Sequence, residues 1–391
     1  MTLTVVTYCL LALSILLAVV TFLPLSKSPR WWVRASEFPR MQVAVIAIPL
    51  LVATVWMAFA GYGQTYIDWL AAAITAVSLG AQAIWCVPYT PLMPREMKRA
   101  PEGPGTVSFL ASNVLMQNER KEDVANEIRR LDPDVVLLME TDQAWIDAME
   151  PALAGYDFIL RYPLDNCYGM VLATRLKVET AQFVLMTEDD TPTAFARLRT
   201  PDGTAFRFIG LHPVPPVPGQ DTMTRDAEVL YAARYAGDSD EPVVAMGDFN
   251  TVAWSRAAHQ FKQGGGFLDA RIGRGPMPSF DARRWWMRLP IDQFYLTQQA
   301  AMVSYERGRF VGSDHFPMFA RVRFDAEIAK GLNREILPVP DHVERDIREL
   351  VETHDARLER HHGAKRIIAG EDTRPRQTAE DITRDPEGTE S

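Results

Sequence analysis

Val243-Val244-Ala245-Met246-Gly247-Asp248-Phe249-Asn250 decides how the larger part of this 391-residue chain is read. Five consecutive small or apolar residues predict a strand buried on both faces, since a half-exposed strand would alternate apolar with polar. The run then stops at Asp248 and Asn250, two polar residues able to bind a ligand. Three earlier segments repeat this grammar: residues 107–111 run into Asn113, 135–139 into Glu140, and 206–211 into His212. Two later ones complete it. Ile291-Asp292-Gln293-Phe294 opens a strand, and Ser313-Asp314-His315-Phe316-Pro317 precedes apolar residues 318–322. Helical patterns lie between, at 121–131 with Val124, Ile128 and Leu131 on one face, and at 224–235. From residue 106 the alternation of short strands and helices predicts an α/β domain. Its polar strand ends are where a rigid sheet presents chemistry.

Singly, each of these residues has a plainer explanation. A strand-terminal Asn or Asp is commonly a turn former or helix cap, and a lone His is commonly structural. Together they are the inventory of metal-assisted phosphoester hydrolysis. Glu140 and Asp314 supply hard oxygen ligands suited to Mg2+ or Mn2+. Asp292 with His315 supplies an acid–imidazole pair for activating water. Asn113, Asn250 and His212 supply neutral or donating partners for a nucleophile and phosphoryl oxygens. Competing chemistries lack their motifs: there is no GxxxxGK[ST] phosphate loop, no GxSxG elbow and no HExxH helix. Three cysteines without a CxxC pair exclude a disulfide scaffold and a zinc ribbon.

The ordered set Asn113, Glu140, His212, Gly247-Asp248-Phe249-Asn250, Ile291-Asp292 and Ser313-Asp314-His315 resembles the endonuclease/exonuclease/phosphatase superfamily. That family includes deoxyribonuclease I, abasic-site endonucleases, neutral sphingomyelinases and inositol-polyphosphate 5-phosphatases. The resemblance covers about residues 105–324 and implies a four-layer α/β/β/α sandwich, deoxyribonuclease I-like. It implies Glu140 as principal metal ligand, with Asn113 and Asp314 close to the ion or its waters. Asp248 and Asn250 would orient the attacking water and contact the phosphate. His315, oriented by Asp292, resembles the catalytic histidine, and His212 the second histidine, which steadies phosphoryl oxygen or the leaving group. Two positions depart from the pattern: Met139 precedes Glu140 where many relatives have Gln, and Leu115 replaces the acid of abasic-site enzymes. The second departure weakens an abasic-endonuclease reading.

The amino-terminal part is a different kind of sequence. No charged side chain occurs in residues 1–26, and further charge-free runs cover 41–67 and 69–94. A bilayer core of about 30 Å needs about 20 apolar residues in a helix, so three spans are expected, at about 3–25, 41–61 and 66–87. No polar stripe is evident in them at helical period. Trp31, Trp32, Tyr66, Trp69, Trp85 and Tyr89 flank the runs as interfacial aromatics do. The first run lacks the basic start and small-residue cleavage pattern of a signal peptide, so it is expected to stay in place. Lys27, Arg30, Arg34 and Arg40 mark the first loop as inside, and Arg95, Lys98 and Arg99 put the chain beyond the third span on the same side. Three spans before such a domain look like a family of bacterial membrane proteins. The expectation is a multi-pass protein of the bacterial inner membrane with a cytoplasmic catalytic domain, or an extracytoplasmic one should the number of spans be even.

Proline and glycine between Pro88 and Gly105 predict a linker over 88–105, leaving 1–87 as the membrane part and 106–324 as the catalytic domain. Residues 325–391 form a charged tail with one possible helix at 341–361, whose Val343, Ile347, Leu350, His354 and Leu358 lie along a narrow stripe able to pair with another helix, and an end of disordered composition. Hydrophobic residues at 47% and charged residues at 23% exclude disorder for the chain as a whole. A net charge of -9 argues against a general nucleic-acid coat. One local exception is Arg283-Arg284-Trp285-Trp286, a basic-aromatic cluster suited to binding a substrate's nucleic-acid backbone or lipid headgroup; alternatively its tryptophans pack on the sandwich. The function expected is a membrane-anchored, divalent-metal-dependent phosphoesterase acting on a phosphodiester, nucleic acid or phospholipid, by in-line attack of an activated water. The alternative is a catalytically silent relative binding a phosphorylated ligand or a partner protein at the lipid bilayer.

Overall fold

Strands apolar on both faces need cover on both sides, and the catalytic unit supplies it with four layers. The structure, a computed structural model, describes residues 2–61, 63–187 and 191–362. It divides into two units, Met1–Met93 with Pro216–Thr222, and Pro94–Pro215 with Met223–Ser391.

The first unit contains α1 (Thr2–Phe22), α2 (Trp31–Ala35), α3 (Arg40–Ala60) and α4 (Thr65–Cys86). Among the described residues, three helices are long and apolar enough to cross a membrane, with mean hydropathies of 2.6, 2.4 and 1.8. Leu13, Leu16, Val52, Trp56 and Ile84 point outward, as lipid-facing side chains do. The interior holds the polar residues: Thr7, Ser14 and Thr21 of α1, and Asp68, Thr75 and Gln82 of α4, are all buried. Seven-residue spacing returns each set to one helix face after two turns. Thr75 donates to Ser14 Oγ at 2.9 Å, and Gln82 Nε2 to Thr21 Oγ1 at 3.0 Å. Arg40 closes the row by donating to Gln82 Oε1 at 3.1 Å. The bundle therefore has a polar stripe that the sequence reading lacked, because isolated Thr and Ser barely register within apolar runs.

The second unit opens with β1 (Thr106–Asn113), α5 (Lys121–Leu131), β2 (Val135–Met139), α6 (Gln143–Leu153), β3 (Phe158–Tyr162) and β4 (Met170–Thr174). Next come β5 (Lys177–Leu185), β6 (Pro192–Arg199), β7 (Ala205–Leu211), α7 (Met223–Gly237), β8 (Val243–Asp248), α8 (Arg256–Gly264) and β9 (Phe267–Asp269). It ends with β10 (Asp292–Thr297), β11 (Ala301–Arg307), β12 (Met318–Arg323), α9 (Ala326–Leu332) and α10 (Asp341–His362). Two six-stranded sheets run in the orders β11-β12-β1-β2-β4-β3 and β5-β6-β7-β8-β10-β9. Each is built around one parallel pair, β1 with β2 and β7 with β8, flanked by antiparallel strands.

Side-chain alternation assigns each strand face to a layer. Phe109, Leu137, Phe208, Val244 and Met246 meet between the sheets. Their neighbours Leu110, Val136 and Leu138 pack under α5 and α6, with Val124, Ile128, Trp145 and Met149. Ile209, Val243 and Ala245 pack under α7 and α8, with Leu230, Ala233 and Phe261. This is the expected α/β/β/α sandwich.

Residues on either side of the expected catalytic stretch are also tied into this unit. Glu96 is buried, accepts from the Asp269 amide at 3.0 Å and pairs with Lys262, while Ala100 donates to Met302 O at 2.8 Å. In α10, Ile347 and Val351 join the core against α7, and Tyr231 donates to Asp355 at 2.6 Å beside the buried His354. The apolar stripe expected in the tail thus pairs with a helix of the same unit. The expected disordered end and Leu358 lie outside the residues whose side chains are described.

Candidate active site

Parallel strands expose their carboxyl ends on one side of a sheet, and here two such pairs deliver four of the polar residues. Asn113 ends β1, Glu140 follows β2, His212 follows β7 and Asp248 ends β8. Antiparallel neighbours enter from the same side: Asp292 opens β10 opposite Asp248, and His315 stands just before β12. The register that buries the apolar runs therefore also gathers the polar ends.

Backbone geometry sharpens the placement. Gly247 has φ +138, and a Cβ there would lie 2.1 Å from Leu211 O. Only glycine permits this close approach of β8 to β7 immediately before Asp248. Glu140 and Asn250 adopt left-handed backbone, φ 63 and φ 47. Such conformations cost on the order of 1–3 kcal/mol for non-glycine residues and cluster at functional sites. Asn250 is held by its amide donating to Asp248 Oδ1 at 2.9 Å and its side chain donating to Pro213 O at 2.8 Å.

Asp248 and His315 form the centre. His315 Nδ1 lies 2.7 Å from Asp292 Oδ2, and its Nε2 lies 3.5 Å from Asp248 Oδ2. His212 Nε2 approaches the same Asp248 oxygen at 3.9 Å. Asn113 Nδ2 donates to Glu140 Oε1 at 2.8 Å and to Asp248 Oδ2 at 3.2 Å, which joins the two sheets' residues into one network. Glu140 also accepts from the Met116 amide at 3.3 Å.

The two buried histidines carry protons differently. Burial alone would push His315 down, but the carboxylates of Asp292 and Asp248 lift it to about 10. Burial pushes His212 down to about 4, with Asp248 opposing and His315 reinforcing the shift. Burial raises the Glu140 carboxyl, partly offset by the Asn113 hydrogen bond and by His315.

Asp314 is half-buried at the rim, where Arg283 Nη2 donates to its Oδ2 at 3.1 Å. Arg284 approaches Asp281 at 3.6 Å. Trp285 and Trp286 are 79% and 60% exposed, so they do not pack on the sandwich. This leaves a basic-aromatic surface one hydrogen bond from Asp314.

Several contacts were not read from sequence. Tyr168 places its ring 5.4 Å from that of His212. Ser313 Oγ donates to Asn113 O at 2.8 Å and accepts from the His315 amide at 3.0 Å, tying β1 to the His315 turn. Arg225 Nη1 donates to Asn250 O at 3.3 Å. Met139 Sδ accepts from the Asp248 amide at 3.3 Å. Tyr168 and Arg225 have no spacing signature, and although Ser313 and Met139 stand in the quoted segments, only tertiary contact gives them these roles.

The donor set fits a hard divalent cation. Asp248, Asp292 and His315 bring polar atoms within 4.8 Å of one another, and Glu140 adds a carboxylate linked to Asp248 through Asn113; with His315 protonated, the carboxylate oxygens are the atoms available to a cation. Asp292 Oδ1 is buried without a partner among the described residues. Oxygen-rich sites of this kind suit Mg2+, Mn2+ or Ca2+ over softer metals.

An imidazole clamped between carboxylates, beside an amide–carboxylate pair at the strand ends of two stacked sheets, defines a phosphoesterase-type hydrolase. The Endonuclease/Exonuclease/phosphatase family matches residues 110–315, more than half of the chain. The chain belongs to that family, whose members hydrolyse phosphoester bonds. No curated protein matches it. Among solved structures it is similar to D. rerio TDP2 complexed with single strand DNA product, at 15% identity and TM-score 0.48, covering 56% of this chain and 99% of that one. An endonuclease/exonuclease/phosphatase from Bacteroides vulgatus is 18% identical at TM-score 0.48, with the same coverage of 56% and 99%. The human Nocturnin catalytic domain with bound sulfate is 16% identical at TM-score 0.47, covering 57% and 96%.

Proposed function

We propose that this chain is a membrane-anchored, divalent-metal-dependent phosphodiesterase. The observation that carries the reading is His315 held between Asp292 and Asp248 at the converging strand ends. Glu140, with Asn113 and Asp314, would hold Mg2+ or Mn2+. When bound, the ion supplies positive charge that polarises a phosphoryl oxygen and offsets the surrounding carboxylates.

The remaining work falls to the chain's own groups. Asp248 and Asn250 orient the attacking water in line with the leaving oxygen. Asp292 fixes the ring of His315, which in the resting site carries both protons and presents Nε2–H to the space beside Asp248. A phosphoryl oxygen arriving there gains a charge-assisted hydrogen bond. To accept the attacking water's proton at Nε2 the ring must first release its Nε2 proton to bulk solvent, so proton load at His315 is coupled to substrate and cation binding. His212, kept neutral by burial, contacts phosphoryl oxygen or leaving group without adding charge. Arg283, Arg284, Trp285 and Trp286 bind the substrate beyond the scissile phosphate, with charge for backbone or headgroup phosphates and exposed indoles for stacking or interfacial contact.

The three apolar helices anchor the enzyme in a bilayer, with the catalytic unit on the side of Lys27, Arg30, Arg34 and Arg40 under the positive-inside rule. The test is hydrolysis by the purified full chain of bis(4-nitrophenyl) phosphate and of the corresponding monoester, with Mg2+ or Mn2+. A diester rate exceeding the monoester rate and lost in EDTA is expected. Metal binding with no turnover of either ester, or of DNA, RNA and phospholipid, would instead make the chain a silent binder.

A further inference from the structure

We propose that Thr7, Asp68 and Gly63 form a binding site for a monovalent cation at one end of the three-helix bundle. The seven-residue rows of α1 and α4 meet in three rungs. Ser14 with Thr75 and Thr21 with Gln82 are joined by direct hydrogen bonds. In the third rung, Thr7 and Asp68 are as deeply buried, at 0% and 1% exposure, yet they do not bond each other. Thr7 Oγ1 and both Asp68 carboxylate oxygens lack any partner among the described residues. Leaving a buried polar atom without a hydrogen bond is costly, so three such oxygens in one rung call for an occupant.

Thr7 Oγ1 and Asp68 Oδ2 both approach Gly63. A Cβ on Gly63 would lie 2.1 Å from Thr7 Oγ1 and 2.9 Å from Asp68 Oδ2. Any side chain at position 63 would collide with Thr7 Oγ1, so only glycine lets the two groups close on this backbone. Asp68 and Thr7 therefore close on a glycine backbone, from two helices and the loop between α3 and α4.

Charge decides the class of occupant. The other buried ions of the bundle are accounted for elsewhere: Arg34 pairs with Glu37 at 3.1 Å, and Arg40 bonds Gln82 and lies over the Trp85 ring. Gln82 stands fourteen residues (82 − 68) beyond Asp68 on one helix, about 21 Å at 1.5 Å per residue, so Arg40 does not neutralise the carboxylate. Water would satisfy donors and acceptors but leave the charge. A divalent ion would leave an excess positive charge in an apolar bundle. One monovalent cation balances Asp68, and oxygen ligands are what such an ion takes. Acidic side chains inside membrane helices facing the bundle interior mark ion sites for the same reason.

The test uses the full chain in detergent, exchanged into choline chloride and titrated with radioactive sodium or with potassium. Wild type should retain one ion per chain, and its melting temperature by far-ultraviolet circular dichroism should rise with sodium at constant ionic strength. Asp68→Asn and Gly63→Ala should lose both effects, and Thr7→Val should weaken retention about tenfold while Thr7→Ser preserves it. Helix content in choline checks that each variant folds. Wild type that retains neither ion and melts identically in sodium and choline overturns the proposal, as does Asp68→Asn that binds like wild type. A carboxylic-acid carbonyl band in the infrared spectrum, unchanged by sodium and absent in Asp68→Asn, also overturns it.

Discussion

His315 and His212 face one carboxylate oxygen, Asp248 Oδ2, at 3.5 Å and 3.9 Å, from opposite charge states. Against an ordinary value of 6.5, His315 is raised to about 10. The folded state thus holds an extra proton between those values. Its stabilising contribution is full below pH 6.5 and is lost as pH rises toward 10. His212 is lowered from 6.5 to about 4, so its contribution is present above pH 6.5 and is lost as pH falls toward 4. Long-range proton–nitrogen spectra of the metal-free chain at neutral pH should show His315 doubly protonated and His212 neutral, assigned with His315→Asn and His212→Asn. Two rings titrating together near their ordinary value would remove the electrostatic basis of the site. A second residue-scale prediction concerns Gly247. Gly247→Ala places a Cβ 2.1 Å from Leu211 O at φ +138. It should cost about 1–3 kcal/mol from backbone strain alone, read by denaturation, and should lower activity by displacing Asp248. Unchanged stability would show that β8 tolerates a side chain there.

At the scale of elements, the central strands were legible and the edges were not. β1, β2, β7 and β8 are buried on both faces, so their sequences are nearly unbroken apolar runs ending in a polar group. β10 and β12 could be placed from Asp292 and His315. β5 is an edge strand with mixed burial, and Lys177, Glu179 and Gln182 obscure it. β4 is buried throughout but ends in no ligand-like residue, so a reading keyed to polar strand ends passes over it. The same limit applies in the site. Asn113, Glu140, His212, Asp248, Asn250, Asp292, Asp314 and His315 announce themselves by position, whereas Tyr168 and Arg225 enter by contacts that only folding creates. Helix α10 is a further case, since its stripe was visible but its partner α7 was not. Ile347, 9% exposed in that contact, should cost about 2–5 kcal/mol as Ile347→Ala. Thermal unfolding of the purified chain measures this, and a loss under about 0.5 kcal/mol, typical of surface substitutions, would mean α10 is not part of the cooperative unit.

For the whole molecule, a charge of -9 and three apolar helices set different constraints. Acidity disfavours a protein that coats DNA, while the proposed anchoring would hold the catalytic unit near a bilayer whichever phosphoester it cuts. Orientation then decides which substrates are within reach. The proposed topology predicts that a fluorescent reporter fused after Ser391 is bright and an alkaline phosphatase fused there is inactive. A dark fluorescent fusion with active phosphatase would move the catalytic unit outside, toward extracellular nucleic acid or envelope lipid.

The central claim is that Asp248, Asp292 and His315 form a working phosphoesterase centre, and one comparison tests it most directly. Turnover of bis(4-nitrophenyl) phosphate with Mg2+ or Mn2+ is measured for wild type and His315→Ala, with the fold of each checked by circular dichroism. The expected result is metal-dependent hydrolysis in wild type and a loss of about 10²–10⁴-fold in the folded variant. Equal rates in the two proteins would contradict it.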